Sequence, residues 1–110
     1  MEVGIRKEER TLVLSISGRM DAVTAPEFDD LVKKQLERGE SHFILDLSDL
    51  EYISSAGLRS MLIHKKNLNV DEGVLVLCGL HDMVKEVFKV SGFNAIFTIF
   101  DSLEEAIKNT

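Results

Sequence analysis

Apolar positions along this chain switch repeatedly between a spacing of two and a spacing of three to four. Leu12, Leu14 and Ile16 alternate with Val13, Ser15 and Ser17, the period of a strand with one face turned inward, and Gly18 is expected to end it. A short edge strand near Val3 to Arg6 would pair with it as a hairpin. From Thr24 the spacing lengthens. Thr24-Ala25-Pro26-Glu27 offers an N-cap, a first-turn proline and a glutamate at the third helical position; Phe28, Leu31, Val32 and Leu36 then share one helical face until Gly39.

Phe43-Ile44-Leu45 with Leu47 is almost continuously apolar, as in a central strand covered on both faces, with Asp46 the one charge inside it. Ser48 to Ile53 reads as a loop. A second helix begins at Ser54-Ser55 and sets Leu58, Met61, Leu62 and Lys65 on one face. The turn Asp71-Glu72-Gly73 leads into a buried-type strand, Val74 to Cys78. Met83, Val84, Val87 and Phe88 mark a third helix closed by Ser91-Gly92, with Met61 and Met83 both expected in the core. Ala95 to Phe100 reads as a last strand, and Asp101-Ser102-Leu103-Glu104 caps a final helix bearing Ala106 and Ile107. The order β, β, α, β, α, β, α, β, α implies parallel pairing by crossover. The expected fold is therefore α/β, a mixed sheet of about four to five strands with about four helices packed against it, in one domain covering residues 1–110.

Composition narrows the class of function. The net charge of −6 and scattered basic residues argue against nucleic-acid binding, which needs a basic patch. No apolar run approaches the ~20 residues that span a bilayer, and the start, Met1-Glu2-Val3-Gly4, lacks a basic stretch ahead of an apolar one. A cytoplasmic protein without membrane contact is expected. Cys78 closes an apolar strand and reads as a buried small hydrophobe. His42, His64 and His81 lie far apart without metal-ligand spacing and read as surface or strand-end residues. The carboxylate neighbours Glu8-Glu9, Asp29-Asp30 and Glu104-Glu105 read as solvated surface. Gly57 and Gly73 stand alone, so no glycine-rich phosphate loop forms, and no nucleophile elbow surrounds Ser55. The sequence points to no enzyme, no cofactor and no metal.

One segment stands apart: Asp46-Leu47-Ser48-Asp49-Leu50-Glu51-Tyr52-Ile53-Ser54-Ser55-Ala56-Gly57-Leu58. It resembles the signature of the STAS family, the bacterial anti-sigma factor antagonists, in which Asp-Leu-Ser leads through an aromatic and an aliphatic residue to Asp-Ser-Ser/Thr-Gly-Leu; here Ala56 replaces the second hydroxyl residue. Gly18-Arg19-Met20-Asp21 is similar to the family's Gly-x-Leu/Met-Asp, and the order of elements agrees over essentially the whole chain. The resemblance implies that Ser55 is the phosphoacceptor, with Ser54 the second candidate where the family often has aspartate. It further implies a partner-binding surface made of Asp21, Ser54, Ser55, Ala56, Gly57 and Leu58. The implied partners are an anti-sigma factor that is also a serine kinase and a phosphatase of the PP2C type, with this chain a monomer when free. Other readings of the same fold are partner switching toward secretion, motility or surface attachment, and a ligand-binding or transport-accessory module without phosphorylation. Without the resemblance, Ser54 or Ser55 is a helix N-cap and Asp21 a turn residue.

Overall fold

A computed structural model describes residues 1–110. The elements follow the order β1 (Glu2–Glu8), β2 (Thr11–Met20), α1 (Ala25–Glu37), β3 (His42–Ile53), α2 (Ser55–Val70), β4 (Val74–Cys78), α3 (Asp82–Val90), a 3-10 turn at Phe93–Ala95, β5 (Ile99–Phe100) and α4 (Leu103–Lys108). One five-stranded sheet runs β1-β2-β3-β4-β5. The β1–β2 pair is the antiparallel hairpin, with Glu2 opposite Ser17 and Glu8 opposite Thr11; every other pair is parallel. This is the mixed α/β architecture expected from the alternating periods.

Strand parity divides the core. Leu12, Leu14 and Ile16 of β2, Phe43, Leu45 and Leu47 of β3, and Leu75 and Leu77 of β4 face the large cluster completed by Phe28 and Val32 of α1, Met61 and Leu68 of α2, and Val84 and Phe88 of α3. The residues between them, Val13, Ile44, Val76 and Cys78, meet Ala106 of α4 on the opposite face, where Leu103 and Ile107 add partial cover. Three helices therefore cover one face and α4 covers the other, which is why β3 and β4 read as continuously apolar. His64 is buried, contrary to its expected surface place. Its Nε2 lies 2.7 Å from Asp29 Oδ1 and its ring meets Phe28 edge-on, so the α1–α2 contact carries a polar pair. Asp29 is accordingly no free surface carboxylate, and it also accepts from Ser60 Oγ at 3.3 Å.

Four local expectations are corrected. β2 does not stop at Gly18; it continues to Met20 through two register shifts, with Gly18 at φ +85°, a left-handed angle that costs glycine little. Ser48 to Ile53 is not a loop but the second half of β3, pairing Asp49 with Ser17, Leu50 with Gly18 and Ile53 with Met20. The expected strand Ala95 to Phe100 shrinks to Ile99–Phe100. Phe93 turns back in a 3-10 turn to stack with Phe88 and Phe97, ring centroids 5.9 to 6.1 Å apart. Met83 is half exposed, at 50%, and lies outside the core that holds Met61. The inward face of α3 is set by Val84 and Phe88, four residues apart, which leaves Met83 on the outer side.

Candidate functional site

The site grows from the carboxyl ends of β2 and β3. These parallel strands end on the paired residues Met20 and Ile53, and the Ser54 amide donates to the Met20 carbonyl at 2.9 Å. The first residue past β3 is thereby tied to the last of β2. Asp21, next in the chain, shares this end of the sheet with the start of α2. The sequence-expected residues Asp21 and Ser54 to Leu58 do converge.

Their roles in the local geometry differ. Ser54 is the N-cap of α2: its backbone is extended (φ −94°, ψ 175°) and its Oγ accepts from the Gly57 amide at 3.3 Å. Ser55, the first helical residue, is exposed, and its amide and that of Ala56 lie in the first turn, where no intrahelical carbonyl reaches them. Gly57 is buried against the strand ends. A Cβ placed there would stand 2.8 Å from Ile53 Cγ1, 2.9 Å from Met20 Cγ and 2.9 Å from the Met20 carbonyl oxygen. Only a residue without a side chain lets the helix start sit this close to the sheet. Leu58 is buried in the large core cluster and anchors the same turn. Ser54, Gly57 and Leu58 fix the helix start, and Ser55 is held outward upon it.

Asp21 organises the neighbouring loop. Its Oδ1 accepts from the amides of Val23 at 3.0 Å and Thr24 at 3.1 Å. Thr24 does not form the expected capping box. Its hydroxyl accepts from the Asp21 amide and donates to the Arg19 carbonyl, each at 2.9 Å, and makes no side-chain cap to α1. The Thr24 amide first, with Val23, the Thr24 hydroxyl and Arg19 adding to it against some desolvation, lowers the Asp21 carboxyl below its ordinary value. Asp21 is thus ionised and committed to its own turn. Its outer oxygen Oδ2 lies 3.9 Å from Arg19 Nε, and the Arg19 guanidinium stacks 4.1 Å above the Tyr52 ring.

Sequence reasoning missed two parts of this surface. The Arg19–Tyr52 pair forms because the register shift at Gly18/Arg19 brings these residues opposite each other, and nothing in either motif announces that shift. On the other side of Ser55 an open cleft of about 360 Å³ runs between α2 and α3, lined by Leu58, Met83, Val87, Val90 and Glu86. The repeat Met83, Val87, Val90 is a second apolar stripe on α3, and its spacing was the available signal. Cys78 lies away from this surface, buried beneath α4. Burial first, then the Asp46 carboxylate, pushes its thiol up to about 12. No group of three or more His, Cys, Asp or Glu side chains is placed to hold a metal, and no helix is long and apolar enough to cross a membrane.

Comparison with known proteins agrees with this fold. The chain is 39% identical over 106 residues to BtrV of Bordetella bronchiseptica, provisionally named an anti-sigma factor antagonist; the match spans 96% of this chain and 91% of that one. Among solved structures, a protein of Thermotoga maritima with the same provisional name superposes with a TM-score of 0.91 at 22% identity, covering 97% of this chain and 92% of that one. The anti-sigma factor antagonist SpoIIAA in its unphosphorylated form superposes with a TM-score of 0.83 at 21% identity, covering 98% and 95%. These two likenesses are of fold. The model of the STAS domain matches residues 2–106, and with the BtrV match it shows that this chain belongs to the STAS family of anti-sigma factor antagonists.

Proposed function

We propose that this protein is a partner switch: unphosphorylated, it binds an anti-sigma factor that is also a serine kinase, and phosphorylation of Ser55 by that kinase ends the complex. A phosphatase of the PP2C type would restore the binding form. The observation that carries this reading is the division of labour at the start of α2. Ser54 is occupied as the N-cap, Ala56 has no hydroxyl, and Ser55 alone of the three presents an exposed hydroxyl. The family resemblance puts the acceptor on this same residue, and SpoIIAA, a neighbour in fold, has a structure in the phosphorylated form.

The chemistry of the switch follows from place. A phosphate on Ser55 adds about −1.5 to −2 charges at a helix N-terminus, where unpaired amides and the helix dipole tolerate it. The domain would stay folded. A partner packed against a neutral hydroxyl would instead have to bury a dianion, and a loss of a few kcal/mol, about a hundredfold in affinity per ~2.7 kcal/mol, suffices to release it. Asp21, Ala56 and the fixed turn at Gly57 and Leu58 would complete the contact surface.

The test is to incubate the protein with its cognate kinase and ATP and locate phosphate by mass spectrometry. Phosphate is expected on Ser55 and absent from Ser55→Ala; modification of Ser54, or none, refutes the assignment. In binding assays with ATP present, Ser55→Ala should retain the kinase and Ser55→Asp should bind weakly while remaining folded.

A further inference from the structure

Two large apolar side chains on the outer side of α3, Met83 and Val90, are left exposed. Met83, Val87 and Val90 recur at helical spacing beside the inward face set by Val84 and Phe88; Met83 is 50% and Val90 78% exposed, while Val87 is half-buried and packs against the main cluster. Scattered surface aliphatics are ordinary, but three in one stripe form the wall of a cleft whose other wall is Leu58 and whose rim is Ser55. A second depression of about 290 Å³, lined by Arg59, Leu62 and Phe93, meets the first at Ser55, Leu58 and Ser91. The Ser55 hydroxyl thus stands where two apolar hollows join.

Charge indicates what fits there. Glu86 is the one charged residue lining the first cleft, Arg59 lines the adjoining hollow, and the exposed carboxylates Asp49 and Glu51 lie in the second half of β3. No cation of this chain pairs with Glu86, Asp49 or Glu51, and the chain as a whole carries −6. A second copy would bring like charge to like charge. An apolar side chain on a partner surface flanked by Lys or Arg would fill the cleft and answer the unpaired Glu86.

We propose that the α2–α3 cleft receives an apolar anchor, flanked by basic residues, from the kinase partner, and that phosphorylation at Ser55 expels this anchor by hydrating the cleft rather than by charge repulsion. The proposal rests on the reading of Ser55 as the switch residue and specifies how the switch acts. Basic residues on the partner would by themselves attract a phosphate. The anchor seated against Ser55 makes the modification unfavourable, because a dianion cannot keep its water while an apolar side chain covers it. Salt separates the two mechanisms: repulsion between charges fades as the Debye length shortens to roughly 4 Å near 0.5 M salt, whereas a desolvation penalty does not.

The experiment measures the affinity of the cognate kinase for wild type, Met83→Glu, Val90→Glu, Glu86→Lys and Ser55→Asp at low and high salt. Val70→Glu, an equally exposed aliphatic at the far end of α2, is the control, and thermal melts verify folding. The expected result is a loss of tenfold or more for Met83→Glu and Val90→Glu, a smaller, salt-sensitive loss for Glu86→Lys, no change for Val70→Glu, and a loss for Ser55→Asp that persists in high salt. If Ser55→Asp weakens binding but the stripe variants do not, the cleft proposal fails and the switch reading stands. If the stripe variants weaken binding and Ser55→Asp does not, the switch reading fails while the cleft remains a docking site. Recovery of Ser55→Asp binding in high salt refutes the desolvation mechanism. Self-association of the wild type that Met83→Glu abolishes assigns the cleft to a second copy and overturns the proposal.

Discussion

Replacing Gly57 by alanine pits helix propensity directly against the seating of α2. In an exposed helix interior this change stabilises by about 0.5–1 kcal/mol, because glycine has more backbone entropy to lose. Here the new methyl would stand 2.8 Å from Ile53 Cγ1, 2.9 Å from Met20 Cγ and 2.9 Å from the Met20 carbonyl oxygen. The first two neighbours are side-chain atoms, but both side chains are almost fully buried in the main cluster and have little room to move. The third is backbone, and it is the carbonyl that receives the Ser54 amide. Overpacking a closed site of this kind costs about 1–3 kcal/mol, so after the propensity gain the net expectation is a destabilisation of up to about 2.5 kcal/mol. For a domain of 110 residues that lowers the melting temperature by about 4 °C per kcal/mol. Urea unfolding followed by circular dichroism measures the change, with Gly4→Ala as reference, since a Cβ there meets only Ser15 Cβ at an ordinary 3.8 Å. A Gly57→Ala protein more stable than wild type would refute the close seating of α2 on β2, and with it the account of how Ser55 is held outward.

Other outcomes follow from the same contacts. Ser54→Ala removes the cap to the Gly57 amide and should cost about 1 kcal/mol in urea unfolding, whereas Ser55→Ala should stay within about 0.5 kcal/mol; the reverse order would exchange their roles. The Cys78 thiol, raised to about 12 by burial and Asp46, should resist aromatic disulfide reagents at neutral pH and react once urea unfolds the chain; ready labelling of the native protein refutes its burial. His81 is raised chiefly by the Asp82 carboxylate 3.0 Å from its Nδ1. A raised folded value means stability that is complete below the ordinary value of about 6.5 and lost as pH rises through the folded one, so the urea midpoint should fall across that window and the slope should flatten in His81→Gln. Asp21 is lowered, so its contribution is present above about 3.8 and lost as pH falls through the folded value; Asp21→Asn should remove that acid-side step.

The two errors along β2 and β3 have one cause. Leu47, Leu50 and Ile53 all face the main core, a spacing of three that matches no regular strand. The register explains it: between Ser15/Ser17 and again between Gly18/Arg19, β3 spends one more residue than β2, and each extra residue resets which side chains point inward. A single sequence shows the exposed polar residues Ser48, Asp49 and Glu51 and suggests a loop. The shift lies in the pairing with β2, which no window on β3 alone contains. The strands with unbroken parity, Leu12 to Ile16 and Val74 to Cys78, were legible for the converse reason. At α3 the amphipathic pattern was visible, but two apolar stripes on nine residues leave the buried one undetermined. The sheet decided for Val84 and Phe88.

At the site, residue types indicated which positions matter but could not separate those that hold the structure from those that present chemistry. Two adjacent serines are equivalent as text. The extended backbone at Ser54 turns one inward as a cap and leaves the other as the first exposed residue of the helix. Because the cap, the glycine wedge and Leu58 carry the fold at this point, a group added to the exposed Ser55 meets solvent and displaces no core side chain. On the proposed reading this separation is what allows a reversible switch. Modification would then change binding by a few kcal/mol while folding, which rests on the neighbours, would stay within a fraction of that. Had the acceptor been Ser54, the same phosphate would have removed the cap to Gly57, coupling every signalling event to partial loss of α2.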